Sequence, residues 1–81
     1  MESQPSQTLD TRGQLCPLPV LKARKRLQGM GEGEVLRVEA TDPMSVIDFP
    51  HFCEESGHEL LGQAQEGDVY MFDLRKRASR R

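Results

Sequence analysis

Cys16-Pro17-Leu18-Pro19 sets a thiol immediately before two prolines, where a strand-like segment gives way to a helix-like one. A cysteine reacts as its thiolate, and an unperturbed pKa of ~8.5 leaves it mostly protonated at neutral pH. With Cys16 as N-cap, the sulfur would feel the positive end of the helix dipole and accept a hydrogen bond from the Leu18 N–H. Pro17 suits the first helical position, because the N–H it lacks would be unpaired there anyway. Pro19 removes a second donor. The expectation is a firmly mounted thiolate, moderately stabilised and still reactive. A lone cysteine can equally be a small buried hydrophobe; its place before two prolines, outside the apolar pattern, weighs toward a nucleophile.

Other residue types could do chemistry too. Cys53 falls on the apolar stripe of a second helix-like segment and reads as structural. A redox pair of Cys16 with Cys53 would need their Cα atoms within ~7 Å. Cys16, His51, Cys53 and His58 could supply four zinc ligands, but their spacing matches no finger-like pattern. His51 and Cys53 would also point about 200° apart on a helix. No metal and no cofactor is expected. Arg12 could favour a thiolate at Cys16 and Asp10 would oppose it; Asp10 could instead cap backbone donors in the turn at Gly13. Gly13 itself supplies a backbone angle or a close approach. Neither histidine is marked as a base for Cys16, since both lie in the far half of the chain.

The elements that must position these groups follow from patterning. Residues 1–7 read as a disordered leader, 8–76 as one domain and 77–81 as a basic tail. Thr8 to Arg12 forms a short strand. Pro17 to Gln28 forms a helix with an apolar stripe of Leu18, Leu21 and Leu27, beside Val20 and Ala23. Gly29, Gly31 and Gly33 end it. Glu34 to Ala40 alternates as a strand, with Leu36, Val38 and Ala40 on one face. Asp42 and Pro43 start a second helix as N-cap and first position. It reaches about Ser56, is broken or restarted at Pro50, buries Phe49, Phe52 and Cys53, and ends at Gly57. Glu59 to Gln65 and Val69 to Leu74 make a hairpin. The order βαβαββ predicts an α/β two-layer sandwich: a four-stranded mixed sheet with two helices on one face.

Eighty-one residues make one small domain, too small for an elaborate buried active site. The chain is 36% hydrophobic and 30% charged, ordinary for a globular domain. It has no apolar run of the ~20 residues a bilayer span needs, and no signal-peptide core. A cytoplasmic protein with reduced thiols, and no membrane partner, is expected. The formal net charge of -2 conceals polarity along the chain. Lys22, Arg24, Lys25 and Arg26 crowd the first helix, acids dominate the middle, and the end is basic again. Beside the thiol, those four bases could guide an acidic partner surface. Direct nucleic-acid binding is not expected, because only 5% of residues are aromatic and no aromatic stripe marks an outer sheet face.

Leu9-Asp10, Gly13 and Cys16-Pro17-x-Pro19 resemble the signature of the TusA/SirA sulfur carriers. Asp42-Pro43, Asp48-Phe49-Pro50, Phe52-Cys53 and Gly57-His58-Glu59-Leu60 extend the resemblance from about Thr8 to Lys76. The resemblance implies the same βαβαββ sandwich. It also implies that Cys16, and not Cys53, takes sulfur as a persulfide from a cysteine desulfurase or rhodanese-type donor and relays it to a downstream protein. Family members serve tRNA 2-thiouridine formation, molybdenum-cofactor-related sulfur supply or oxidative sulfur metabolism. The basic tail departs from the best-known pattern. A carrier needs a nucleophilic thiolate, access and a docking surface, and no Cys-His-Asn or Ser-His-Asp arrangement is visible that would make it self-sufficient. A thiol redox regulator is the competing reading.

Overall fold

Leu36, Val38 and Ala40 are fully buried while Arg37 and Glu39 between them are half-exposed, so the alternation read from the sequence is one of the two inner strands of the sheet. The computed structural model describes residues 5–77. Its elements are β1 (Gln7–Thr11), α1 (Leu18–Gln28), β2 (Val35–Ala40), α2 (Ser45–Ser56), β3 (Glu59–Glu66) and β4 (Val69–Arg75). They stand in the expected βαβαββ order. Sheet order is β1-β2-β4-β3, with β1 parallel to β2 and the other two pairings antiparallel. The register sets Leu9 beside Val38, and Val38 and Leu36 beside Phe72 and Leu74. One apolar face results, because side chains alternate with period two and any slip would expose it.

Both helices cover that face. α2 contributes Phe49, Phe52 and Cys53, and Phe49 stacks on Phe72 with ring centroids 4.7 Å apart. Pro50 sits inside α2 without breaking it. One absent N–H is outweighed there by the apolar face that the helix buries on both sides of the proline. Gly57 ends α2 in the left-handed region (φ 87°), its N–H donating to the Cys53 carbonyl, as a glycine C-cap should.

Three expectations need correction. The buried row of α1 is Pro19, Ala23 and Leu27, four residues apart, with Val20 half-buried. Leu18 and Leu21, expected in that stripe, are each 46% exposed. Ala23 lets the helix lie close against the sheet, and that closest line leaves both leucines outside. The leader ends sooner than residue 7: Gln7 pairs with Leu36 in β1, and the Ser6 N–H donates to the Val35 carbonyl. The rest of that segment, residues 1–4, lies outside the described residues, as do residues 78–81 of the tail. Strand β3 is also less regular than a plain hairpin arm. Its register jumps between Leu60 and Gly62, and the skipped Leu61 is 41% exposed.

Phe49→Ala should cost about 3–5 kcal/mol, a large part of what so small a domain has. Leu61→Ser should change stability by no more than ~0.5 kcal/mol. Urea unfolding of the two variants checks both.

Candidate functional site

The thiol is mounted by a loop whose main-chain groups are pinned from several sides. Gly13 adopts φ 82°, and its N–H donates to Thr41 Oγ1 at 2.9 Å. The Gln14 N–H donates to the Thr11 carbonyl. The Cys16 N–H donates to Asp42 Oδ2 at 2.6 Å, while Asp42 Oδ1 accepts the Met44 N–H at 3.1 Å. Asp42 was expected only as a helix cap. The helix instead begins at Ser45 with Met44 as its N-cap, so neither the Asp42 cap nor Pro43 as first helical residue is met; Asp42 caps the turn that precedes α2 and holds the thiol loop against that turn.

Cys16 is exposed, and the Cys16–Pro17 peptide bond is cis. It is not the N-cap of α1. Pro17 occupies the cap, Leu18 begins the helix, and the Leu18 N–H donates to the Leu15 carbonyl at 2.9 Å, so the sulfur receives no bond from it. The expected stabilisation of the thiolate fails with this displacement. The side chain of Asp48 acts most strongly to keep the thiol proton in place; partial removal from water and the charges of Asp48 and Asp42 add to it. Together they push the Cys16 thiol above its ordinary value. Cys16 is protonated at rest and flanked by acids.

α2 and α1 form a cleft of about 230 Å3 around the sulfur. Asp48, His51 and Glu55 enter it from α2, Arg24 from α1, and Val20 and Phe52 supply its apolar part. His51, dismissed from the sequence as remote, is therefore beside the thiol: the fold returns α2 across the end of α1. Its Nε2 lies 3.3 Å from Glu55 Oε2, one turn along α2. Leu15 (69% exposed) precedes Cys16 in the chain, and Ile47 (62%) precedes Asp48.

The structure divides the basic residues assigned to docking. Arg24 lines the Cys16 cleft, whereas Lys22, Lys25 and Arg26 line a separate groove against Gln7 and Leu9, where Arg26 donates to Gln7 Oε1. Asp10 and Arg12 form a two-pronged pair with each other at 2.9 and 3.0 Å. Asp10 also accepts the Arg12 N–H, its caps going to Arg12 and not to the Gly13 turn, and its carboxyl is lowered to about 2. Neither residue figures among the groups that shift Cys16. Cys53 is buried against the core, and burial pushes its thiol up to about 11. Among the described residues no group of three or more His, Cys, Asp and Glu side chains could hold a metal ion. No helix among them is long and apolar enough to cross a membrane.

Residues 7–76 match the family described as sulfurtransferase TusA. The chain belongs to the TusA family. Over 70 residues it is 47% identical to the sulfur carrier protein TusA of Allochromatium vinosum, covering 86% of this chain and 92% of that one. It is 46% identical over 71 residues to the sulfur carrier protein TusA of Pseudomonas entomophila, covering 88% and 89% of the two chains. Its fold is similar to the crystal structure of a SirA-like protein from Desulfitobacterium hafniense, with a TM-score of 0.78 and 27% identity over 89% of this chain and 99% of that one. Asp42 and Asp48 are the residues that a reading centred on Cys16 undervalued. Both stood in segments that carry the family resemblance.

Because both acids disfavour the thiolate, Asp48→Asn should lower the Cys16 titration midpoint, and Asp42→Asn should lower it by less. Thiolate ultraviolet absorbance against pH, in a Cys53→Ala background, reads this directly. An unmoved midpoint in Asp48→Asn would show that the carboxylate does not act on the sulfur.

Proposed function

We propose that this TusA family member accepts sulfane sulfur on Cys16 and hands it on, as a cysteine persulfide, to an acceptor protein. The observation that carries this reading is the contrast between the two thiols: Cys16 stands exposed at the mouth of an open cleft, and Cys53 is sealed in the core. Pro17 and Pro19 stiffen the chain at the thiol, and Gly13 permits the turn that presents it. A cleft of about 230 Å3 that is open to solvent suits transfer between two proteins. The donor is a cysteine desulfurase or a rhodanese-type protein, and the chain acts in the cytoplasm, where thiols stay reduced. The acceptor is a downstream relay protein, with tRNA 2-thiouridine formation the reading preferred over molybdenum-cofactor supply or oxidative sulfur metabolism.

A thiol redox regulator is disfavoured by Cys53. A resolving cysteine has to be reachable and able to ionise, and burial works against both. An RNA-binding module is disfavoured by the outer sheet face, where Arg37, Glu39, Met71 and Asp73 offer no aromatic platform.

Incubation with a cysteine desulfurase and cysteine should add about 32 Da per sulfur atom, reversed by thiol reductant, consistent with a reversible thiol modification. Cys53→Ala should load as the unaltered chain does and Cys16→Ala should not load. Uptake that survives in Cys16→Ala would reject the assignment. Docking gives a second test, since rim charges act mainly on association rate. Arg24→Glu should slow loading by the desulfurase several-fold at low salt, and Lys25→Glu should change it little. The reverse order would place the docking face on the β1 side of α1.

A further inference from the structure

Cys16 has to lose its proton as it forms a new S–S bond, yet its surroundings keep that proton on the sulfur. The charged groups facing it come from three elements. Asp42 arrives from the turn before α2, but its two oxygens already accept the Cys16 and Met44 N–H groups. Arg24 arrives from α1 and has no capacity to accept a proton. His51 and Glu55 arrive from α2, are largely exposed, and are paired with each other. Asp48, also on α2, is half-buried and lines the same cleft as Cys16, and of the neighbouring groups it does most to keep the thiol's proton in place. It has no ion-pair partner among the described residues.

We propose that Asp48, which lines the cleft beside Cys16, is the proton acceptor of sulfur loading. This rests on the carrier reading of Cys16. In the step, a lone pair of Cys16 Sγ attacks the outer sulfur of the donor's persulfide. The donor's S–S bond breaks with its electron pair left on the inner sulfur, and the Cys16 S–H proton passes to the Asp48 carboxylate. The donor leaves as a thiolate and is reprotonated from Asp48 directly or through water. One S–S bond and one S–H bond are exchanged for another of each, so no oxidant or reductant is consumed. The arrangement lets the carrier keep a quiet, protonated thiol between encounters and still attack without first becoming a free thiolate.

The test compares loading rates of the unaltered chain and Asp48→Asn between pH 6 and pH 8, with one stock of inorganic polysulfide as donor and intact mass as readout. The ratio of the two rates at each pH cancels the donor's own titration. Loading through Asp48 tracks the protonated thiol and is level, whereas the variant must wait for thiolate, which grows about tenfold per pH unit. The expected ratio falls by about tenfold per unit, roughly a hundredfold across the range. A ratio constant across pH would overturn the proposal, since it means that Asp48 only shifts the thiol's titration. Asp48→Glu should restore the falling ratio against Asp48→Asn, and His51→Gln, which removes the imidazole lining the cleft, should leave it in place. A ratio that flattens in His51→Gln instead would transfer the role to His51 and overturn the proposal. If polysulfide puts no sulfur on Cys16 in the unaltered chain, while the thiolate titration still responds to Asp48→Asn, the carrier reading itself fails and takes this step with it.

Discussion

The Asp42 carboxylate accepts the Cys16 N–H with one oxygen and the Met44 N–H with the other, and so ties the loop that presents the thiol to the turn that launches α2. Hydrogen bonds to a charged acceptor are stronger than neutral ones. The remainder of the site depends on this tie. It sets where α2 begins, and hence where Asp48 and His51 fall relative to the sulfur. The sheet below supplies the foundation. β1 ends at Thr11, whose buried hydroxyl donates to the Glu39 carbonyl at 2.7 Å. Thr41, the residue after β2, then receives the Gly13 N–H. The loop is thus fastened to the parallel pair β1 and β2 at its root and to α2 at its tip.

The fastening has an electrostatic consequence. The group that fixes the main chain is an anion, and the fold adds a second beside it. A helix terminus would have drawn the thiol toward ionisation; two carboxylates hold it back. The basic residues of α1 do not reverse this, because three of the four face the β1 side. An exposed thiol is held protonated by its neighbours' charge, without being buried.

The order of elements was legible because its signals are local. Strict alternation over Leu36 to Ala40, the left-handed Gly57 that ends α2 and the two-residue Gly67-Asp68 turn each act within a few residues. The buried row of α1 was harder. It holds more apolar residues than the sheet can cover, and periodicity alone does not say which go outside. At the site, a one-residue displacement of the helix start was enough to move Leu18's donor to the Leu15 carbonyl and leave the sulfur beyond the cap. Cap geometry is sensitive to single positions, and two prolines in three residues admit more than one start. Asp48 and His51 reach Cys16 through tertiary packing across more than thirty residues, which no local pattern encodes.

Asp42 holds the backbone at position 16, not the side chain. The mount therefore asks nothing of the sulfur, and another small residue there would leave the loop, the cleft and Arg24 where they are. Shape and cargo are separable in this design. Under the proposed carrier role, a copy lacking the thiol would still fit a sulfur donor's binding face, occupying it without ever accepting anything: an empty cup in the hand that pours. A single codon thus separates a courier from a decoy.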